Sequence, residues 1–154
     1  MHFADFIDFE AIRTNIPGGS KRALLQQLAN IAAQRCSLEP SAILASLTER
    51  EKLGSTGLGQ GVAIPHGKIE GLSRIYGLFA RIADPVDYKA IDSRKVDLVF
   101  LLLSPPDAGA DHLKALAAIS RVIRHSTTLE KMRGARSRDA LAAVLIAADE
   151  RDAA

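Results

Sequence analysis

Pro65-His66-Gly67 follows the apolar run Val62-Ala63-Ile64, and Gly54, Gly57, Gly59 and Gly61 fall within eight residues just before it. A neutral imidazole is a good nucleophile near pH 7, because its unperturbed pKa leaves a large unprotonated fraction. Pro65 restricts the approach of the chain and Gly67 leaves the ring uncrowded, so His66 can attack phosphorus and hold it as a phosphoramidate. A loop histidine making an ordinary hydrogen bond has the same local sequence, and the surroundings must decide between the two. The glycines do not fit a nucleotide loop. Gly57-Leu58-Gly59-Gln60-Gly61 lacks the GxGxxG spacing of a dinucleotide-binding turn. Gly61 to Gly67-Lys68 has five intervening residues where a Walker loop has four, and Ile69 replaces its magnesium-holding hydroxyl. No histidine pair has HExxH spacing and Cys36 is the only cysteine, so neither a metal nor another cofactor is expected.

The elements that must position His66 follow from periodicity. After Pro17-Gly18-Gly19, Ser20 can cap a helix carrying Ala23, Leu24, Leu28, Ile31 and Ala32 at helical spacing to about Cys36. Pro40 suits the first turn of a second helix, with Ile43, Leu44 and Leu47 on one face, which places Arg50 at its end. The dense glycines from Gly54 to Gly61 read as a shaped loop rather than a regular element. Ile75 to Ala83 and Val96 to Leu103 read as strands, the second apolar enough to be buried on both faces. Ser104-Pro105-Pro106-Asp107 ends it. A helix from Asp111 to His125 follows, capped by Asp111 and carrying His112 in its first turn. Thr127 and Glu130 have capping-box spacing, and Ser137 can cap a last helix with Leu141, Val144 and Leu145 inside. Interleaved strands and helices give an α/β single-domain sandwich. Residues 1–19 read as an N-terminal extension, 20–148 as the domain and 149–154 as a tail, with the first ~16 residues and Glu150 onward dispensable to the core.

The string Thr48-Glu49-Arg50-Glu51-Lys52-Leu53-Gly54-Ser55-Thr56-Gly57, followed by Gly61-Val62-Ala63-Ile64-Pro65-His66-Gly67-Lys68, resembles the phosphorylation site of the fructose, mannitol and nitrogen-regulatory IIA family of the bacterial phosphotransferase system. The resemblance extends from about Ser20 to Ala148 and is strongest to the nitrogen-regulatory type. It implies a mixed parallel and antiparallel sheet flanked by helices on both faces. It also implies that His66 is the phosphoryl acceptor, Arg50 an electrostatic clamp and His112 a second histidine beside the phosphate. Phosphoryl transfer spreads negative charge over equatorial oxygens, which suits a planar guanidinium and preorganised backbone N–H groups. Gly57, Gly59 and Gly61 are the expected source of those N–H groups, with Ser55, Thr56 and Lys68 as further candidates. Read without the motif, Arg50 is a solvated residue at a helix end, His112 a surface histidine and Lys68 a solvated lysine.

The implied donor is a small histidine-phosphorylated carrier of the HPr type, as used in nitrogen-regulatory branches. The implied outputs are regulatory targets such as potassium transporters or sensor kinases, in nitrogen or potassium homeostasis. Leu58 and Val62 are candidates for an apolar docking rim. The alternatives are a sugar-uptake IIA component that passes phosphate to a IIB domain, and a non-catalytic anion-binding module.

Composition removes several other classes. With 154 residues, 47% of them hydrophobic, the chain fits one compact domain. Lys and Arg number 20 against 18 Asp and Glu, a near-balance that gives little attraction for nucleic acid. The basic residues Arg121, Arg124, Lys131, Arg133, Arg136 and Arg138 lack interleaved aromatics and read as solvated helix surface. The apolar runs are far shorter than the roughly 20 residues that span a bilayer, and Met1 to Phe9 lacks the basic start of a secretory signal. A cytoplasmic location is expected, and Cys36 without a partner suits a reducing compartment.

Overall fold

The segment Val96–Ser104 is buried along almost its whole length, and the remaining elements assemble around it. The protein is described by a computed structural model over residues 1–153. Two short 3₁₀ turns, Phe3–Asp5 and Phe9–Ala11, precede β1 (Arg13–Ile16), α1 (Lys21–Cys36) and α2 (Pro40–Lys52). Then come β2 (Gly57–Gly59), β3 (Val62–Ala63), β4 (His66–Lys68), β5 (Tyr76–Val86) and β6 (Val96–Ser104). Three helices close the chain: α3 (Ala110–Ile123), α4 (Ser126–Gly134) and α5 (Arg138–Ala153).

The sheet runs in the order β1-β5-β6-β3-β2, with β4 also paired to β6. β5 is antiparallel to β6, whereas β3 and β4 are parallel to it and β1 is parallel to β5, so the sheet is mixed. Alternate side chains of β6 point to opposite faces, and both faces are apolar. Val99, Leu101 and Leu103 meet Leu24, Leu28, Ile43 and Leu47 of α1 and α2. Leu98, Phe100 and Leu102 meet Ile119, Val122, Met132, Leu141 and Leu145 of α3, α4 and α5. The helices therefore flank the sheet on both faces, as expected.

Several local expectations hold at the level of single bonds. The Ser20 hydroxyl accepts from the Ala23 amide at 3.0 Å, and the Ser137 hydroxyl accepts from the Ala140 amide at 3.0 Å. Others are corrected. Asp111 is not the cap of α3: that position is Gly109, at φ 57°, and Asp111 lies exposed in the first turn. Thr127 lies inside α4, whose cap position is His125, so the Thr127–Glu130 capping box does not form. The glycine-rich segment is a β2–β3 hairpin, because Gly59, Gln60 and Gly61 all take positive φ and turn the chain through it.

The largest correction concerns the ends. Phe3, Phe6, Ile7, Ala11, Ile12 and Ile16 are all buried, and β1 adds a strand at the sheet edge, so residues 1–19 are not an extension outside the core. Phe3, Phe6, Ile7 and Ala11 recur at i, i+3, i+4 and i+8, a spacing that suits a helix, but the segment folds as two short 3₁₀ turns and buries these residues without forming one. Phe3 packs against Phe6 and Phe100, each with ring centroids 5.9 Å away, and its amide donates to the Asp149 carboxylate at 2.8 Å. The expected tail 149–154 is likewise drawn in at Asp149, and α5 continues to Ala153; Ala154 lies outside the described residues. Deleting a fully buried phenylalanine side chain costs about 3–5 kcal/mol. Phe3→Ala is therefore expected to lower the free energy of urea unfolding by about 3 kcal/mol, with exposed Asp5→Ala as the control. A loss no larger than that of the control would put the segment back outside the core.

Candidate functional site

The chain leaves the β2–β3 hairpin through Val62 and Ala63, paired to Leu98 and Val99, and re-enters the ladder at His66, paired to Leu102. Ile64 and Pro65 interrupt the pairing between them. That interruption lets the His66 ring fold back onto its own chain, where Nδ1 lies 2.8 Å from the Ile64 carbonyl oxygen. A carbonyl only accepts, so Nδ1 carries the proton and Nε2 keeps its lone pair. The Arg50 Nε–H donates to that same Nε2 at 3.2 Å.

Arg50 reaches His66 because α2 approaches β4 closely. A Cβ on Gly67 would lie 2.3 Å from Ser46 Oγ, and that hydroxyl instead donates to the Lys68 carbonyl at 2.7 Å. Gly67 thus serves the helix-to-strand contact as well as leaving the His66 ring uncrowded. Ser46 and Arg50 are four residues apart on one helical face, so the bond that docks Ser46 also aims Arg50. The guanidinium is held a second time, by an Nη1–H bond of 2.9 Å to the Gly54 carbonyl just past the helix end.

The turn from Arg50 to Thr56 is tied down by Glu51. Its carboxylate accepts from the Thr56 amide at 3.1 Å, pairs with Lys21 at 2.7 Å and takes the Thr56 hydroxyl as well. Lys21 also lies over the Tyr88 ring, 4.3 Å from its centroid. Glu51 escapes a sequence reading because nothing in its type or spacing marks it as buried, yet its side chain is 7% exposed.

His112 completes the arrangement from the third position of α3. Its ring centroid is 5.5 Å from that of His66, and its Nδ1 lies 2.5 Å from the hydroxyl of Ser104, the last residue of β6. Arg50, His66, Gly67, Lys68 and His112, with Ser46, Glu49 and Leu53, line one open cleft of 360 Å³. Burial is the main influence that pushes the His66 pKa below the ordinary histidine value; the Ile64 carbonyl opposes it and the Arg50 charge adds to it. Burial also lowers His112, helped by the repulsion that a protonated His66 would exert and by the Lys68 charge. Both rings are thereby favoured in the neutral form, one of them with a lone pair directed at a guanidinium in an open cleft.

The other sequence candidates divide. Lys68 lies on the cleft wall with an exposed side chain. Gly57, Gly59 and Gly61 are not among the residues that line the cleft. Gly57 permits close packing against Ala90, Gly59 faces Asp92, and Gly61 faces Asp97 and Arg133. Ser55 and Thr56 point away as well: the Ser55 hydroxyl donates to the Tyr88 carbonyl at 3.1 Å, and Thr56 is buried between Glu51 and the Tyr88 hydroxyl. Of the expected docking rim, Leu58 is exposed but Val62, in β3, is buried in the core between the sheet and α3, α4 and α5. Leu53, 84% exposed, lines the cleft with Arg50, and Leu113, 68% exposed, follows His112 in the chain. Among the described residues no group of three or more His, Cys, Asp or Glu side chains could hold a metal ion, and no helix is long and apolar enough to cross a membrane.

This geometry sits in a chain with clear relatives. The family model described as phosphoenolpyruvate-dependent sugar phosphotransferase system, EIIA 2, matches residues 5–148. The nitrogen regulatory protein of Bradyrhizobium diazoefficiens is 47% identical over 145 residues, covering 94% of this chain and 95% of that protein. That of Escherichia coli K12 is 34% identical over 142 residues, covering 92% and 87%. The crystal structure of the nitrogen regulatory protein IIA-Ntr from Neisseria meningitidis superposes with a TM-score of 0.88 at 34% identity, covering 93% of this chain and 98% of that one.

Proposed function

Because the chain belongs to the EIIA 2 family of the phosphoenolpyruvate-dependent sugar phosphotransferase system, we propose that it is a cytoplasmic phosphocarrier and regulatory protein that accepts a phosphoryl group on Nε2 of His66. The observation that carries this reading is the pairing of a neutral, Nδ1–H imidazole with Arg50 in an open cleft. The donor is a histidine-phosphorylated protein of the HPr type. The Nε2 lone pair forms the new P–N bond as the donor's P–N bond breaks, and the released electron pair returns to the donor imidazole. The positive charge gained by the His66 ring is shared with Nδ1–H, which the Ile64 carbonyl holds. The incoming phosphorus displaces Arg50 from Nε2, and the freed guanidinium edge then donates to phosphoryl oxygens. Lys68 adds positive potential at the cleft wall.

Phosphorylation state is the regulatory output. A phosphoryl group adds roughly two negative charges to the cleft that exposed Leu53 lines, and a partner fitted to the neutral imidazole meets a desolvation and repulsion cost. The relatives' name, nitrogen regulatory protein, supports an output in nitrogen regulation; potassium transporters and sensor kinases are further proposed targets. Incubation with a phosphorylated HPr-type donor tests the reading. Covalent label on His66 supports the carrier, onward transfer to a sugar-specific IIB domain marks an uptake component, and reversible anion binding without label marks a binding module.

The pH dependence is a further expected result. A protonated imidazole has no lone pair, so transfer competence is full above the ordinary histidine pKa of about 6.5 and is lost only as pH falls through the lowered value. An NMR titration of the His66 ring is expected to give a midpoint below 6.5. A midpoint at or above that value would mean that burial does not hold the ring neutral.

A further inference from the structure

Ser104 has no assigned part in the site, yet it is fully buried and its hydroxyl makes one hydrogen bond among the described residues, to Nδ1 of His112. Two proton arrangements are compatible with that contact. If Nδ1–H donated to Oγ, the hydroxyl proton would be left in the interior without an acceptor, and buried donors without acceptors are rare and costly. If the hydroxyl donates to Nδ1, the serine is satisfied by the one bond it makes. The ring nitrogen left for the proton is then Nε2, the one remaining for the cleft that His112 lines with His66.

We infer that Ser104 is a positioning residue which fixes His112 as the Nε2–H tautomer, so that the two histidines 5.5 Å apart are held in opposite tautomers for opposite tasks. His66 meets a carbonyl, which only accepts, and keeps a lone pair on Nε2 for the nucleophile. His112 meets a hydroxyl that donates and presents an N–H for an anion. A His112 with its lone pair toward the cleft would repel a phosphoryl oxygen; with the proton there it contributes a donor without carrying charge. The strand supplies the serine through its register: Ser104 pairs with Lys68 in the β4–β6 ladder, two residues along from the pair of His66 with Leu102. The functional consequence rests on the reading of His66 as phosphoryl acceptor, but the tautomer assignment does not.

The test uses ¹⁵N-labelled, unphosphorylated protein, in which long-range ring correlations separate pyrrole-like from pyridine-like nitrogens. His112 is expected to show a pyrrole-like Nε2 and His66 a pyrrole-like Nδ1. A pyrrole-like Nδ1 on His112 would overturn the inference, whether or not His66 takes a phosphate. Ser104→Ala removes one oxygen and is expected to admit the second His112 tautomer and slow donor-dependent labelling by about fivefold, the effect of one hydrogen bond. Ser104→Thr, which keeps the hydroxyl, is expected to recover most of that rate. In a His112→Ala background, Ser104→Ala is expected to change the rate no further. An equal slowing in both backgrounds would show that the serine acts on packing and not through His112.

Discussion

His66→Ala is expected to take up no label from a phosphorylated HPr-type donor, a loss of at least two orders of magnitude, because removing the nucleophile removes the step itself. The wild-type label is expected to be acid-labile and stable to alkali, the behaviour of a phosphoramidate rather than of a phosphate ester. The substitution is a clean one. The ring is half-buried in the cleft, its hydrogen bonds are to the Ile64 carbonyl and Arg50, and the β4–β6 pairing that holds residue 66 is made by the backbone. His112 is the one other histidine in the cleft, so label has to be mapped to a peptide as well as counted. Label that persists at full stoichiometry in His66→Ala, on His112 or elsewhere, would overturn the site assignment. His112→Ala is expected to keep the stoichiometry and lose rate, since it removes a donor and leaves the nucleophile in place.

The sequence carried the elements built on repeating patterns and lost those built on single contacts. Helices α1, α2, α3 and α5 and strands β5 and β6 are long enough for apolar period and caps to identify them; apart from the C-terminal end of α5, which runs on into the expected tail, their observed bounds lie within three residues of those expected. Strands β1 to β4 have two to four residues each, too few for a period, and three of them were hidden in the segment read as a shaped loop and the stretch after it. The N-terminal segment hides its burial differently: Phe3, Phe6 and Ile7 have helical spacing, but the stretch is too short for a helix, and its 3₁₀ turns bury them through contacts such as that of Phe3 with Phe100. At the site, His66, Arg50 and His112 were legible as a constellation, and the structure brings all three to one cleft. The glycines were misplaced because a glycine marks permissive backbone without saying what approaches it; here it is Ala90, Asp92, Asp97 and Arg133. Ser104 and Ser46 are silent, since a serine closing a strand or half-buried on a helix has no spacing rule that reveals a hydrogen bond to a distant residue.

Arg50→Ala is expected to slow transfer by on the order of 10²-fold or more, the usual effect of removing one preorganised stabiliser of developing negative charge. The geometry explains why one side chain carries so much. The guanidinium is fixed before phosphate arrives, by Gly54 on one side and by the docking of α2 through Ser46 and Gly67, so little reorganisation is needed as the phosphoryl group crosses. Its Nε–H already lies 3.2 Å from the attacking nitrogen, which places the planar fork where equatorial oxygens must pass. Arg50→Lys is expected to recover only part of the rate: an ammonium keeps the charge but cannot span the Gly54 carbonyl and two phosphate oxygens with one planar group. The same substitutions are expected to raise the His66 pKa, because the Arg50 charge is one of the influences that lower it, with alanine giving the larger rise. That second readout separates loss of the guanidinium from general damage, since a loosened site would disturb the ring without a graded order of arginine, lysine and alanine. The decisive measurement is a single-turnover labelling rate at saturating donor and at a pH well above the histidine midpoint, where His66 is neutral in every variant. An unchanged rate in folded Arg50→Ala would remove Arg50 from the chemistry and leave the cleft with Lys68 as its remaining lysine or arginine.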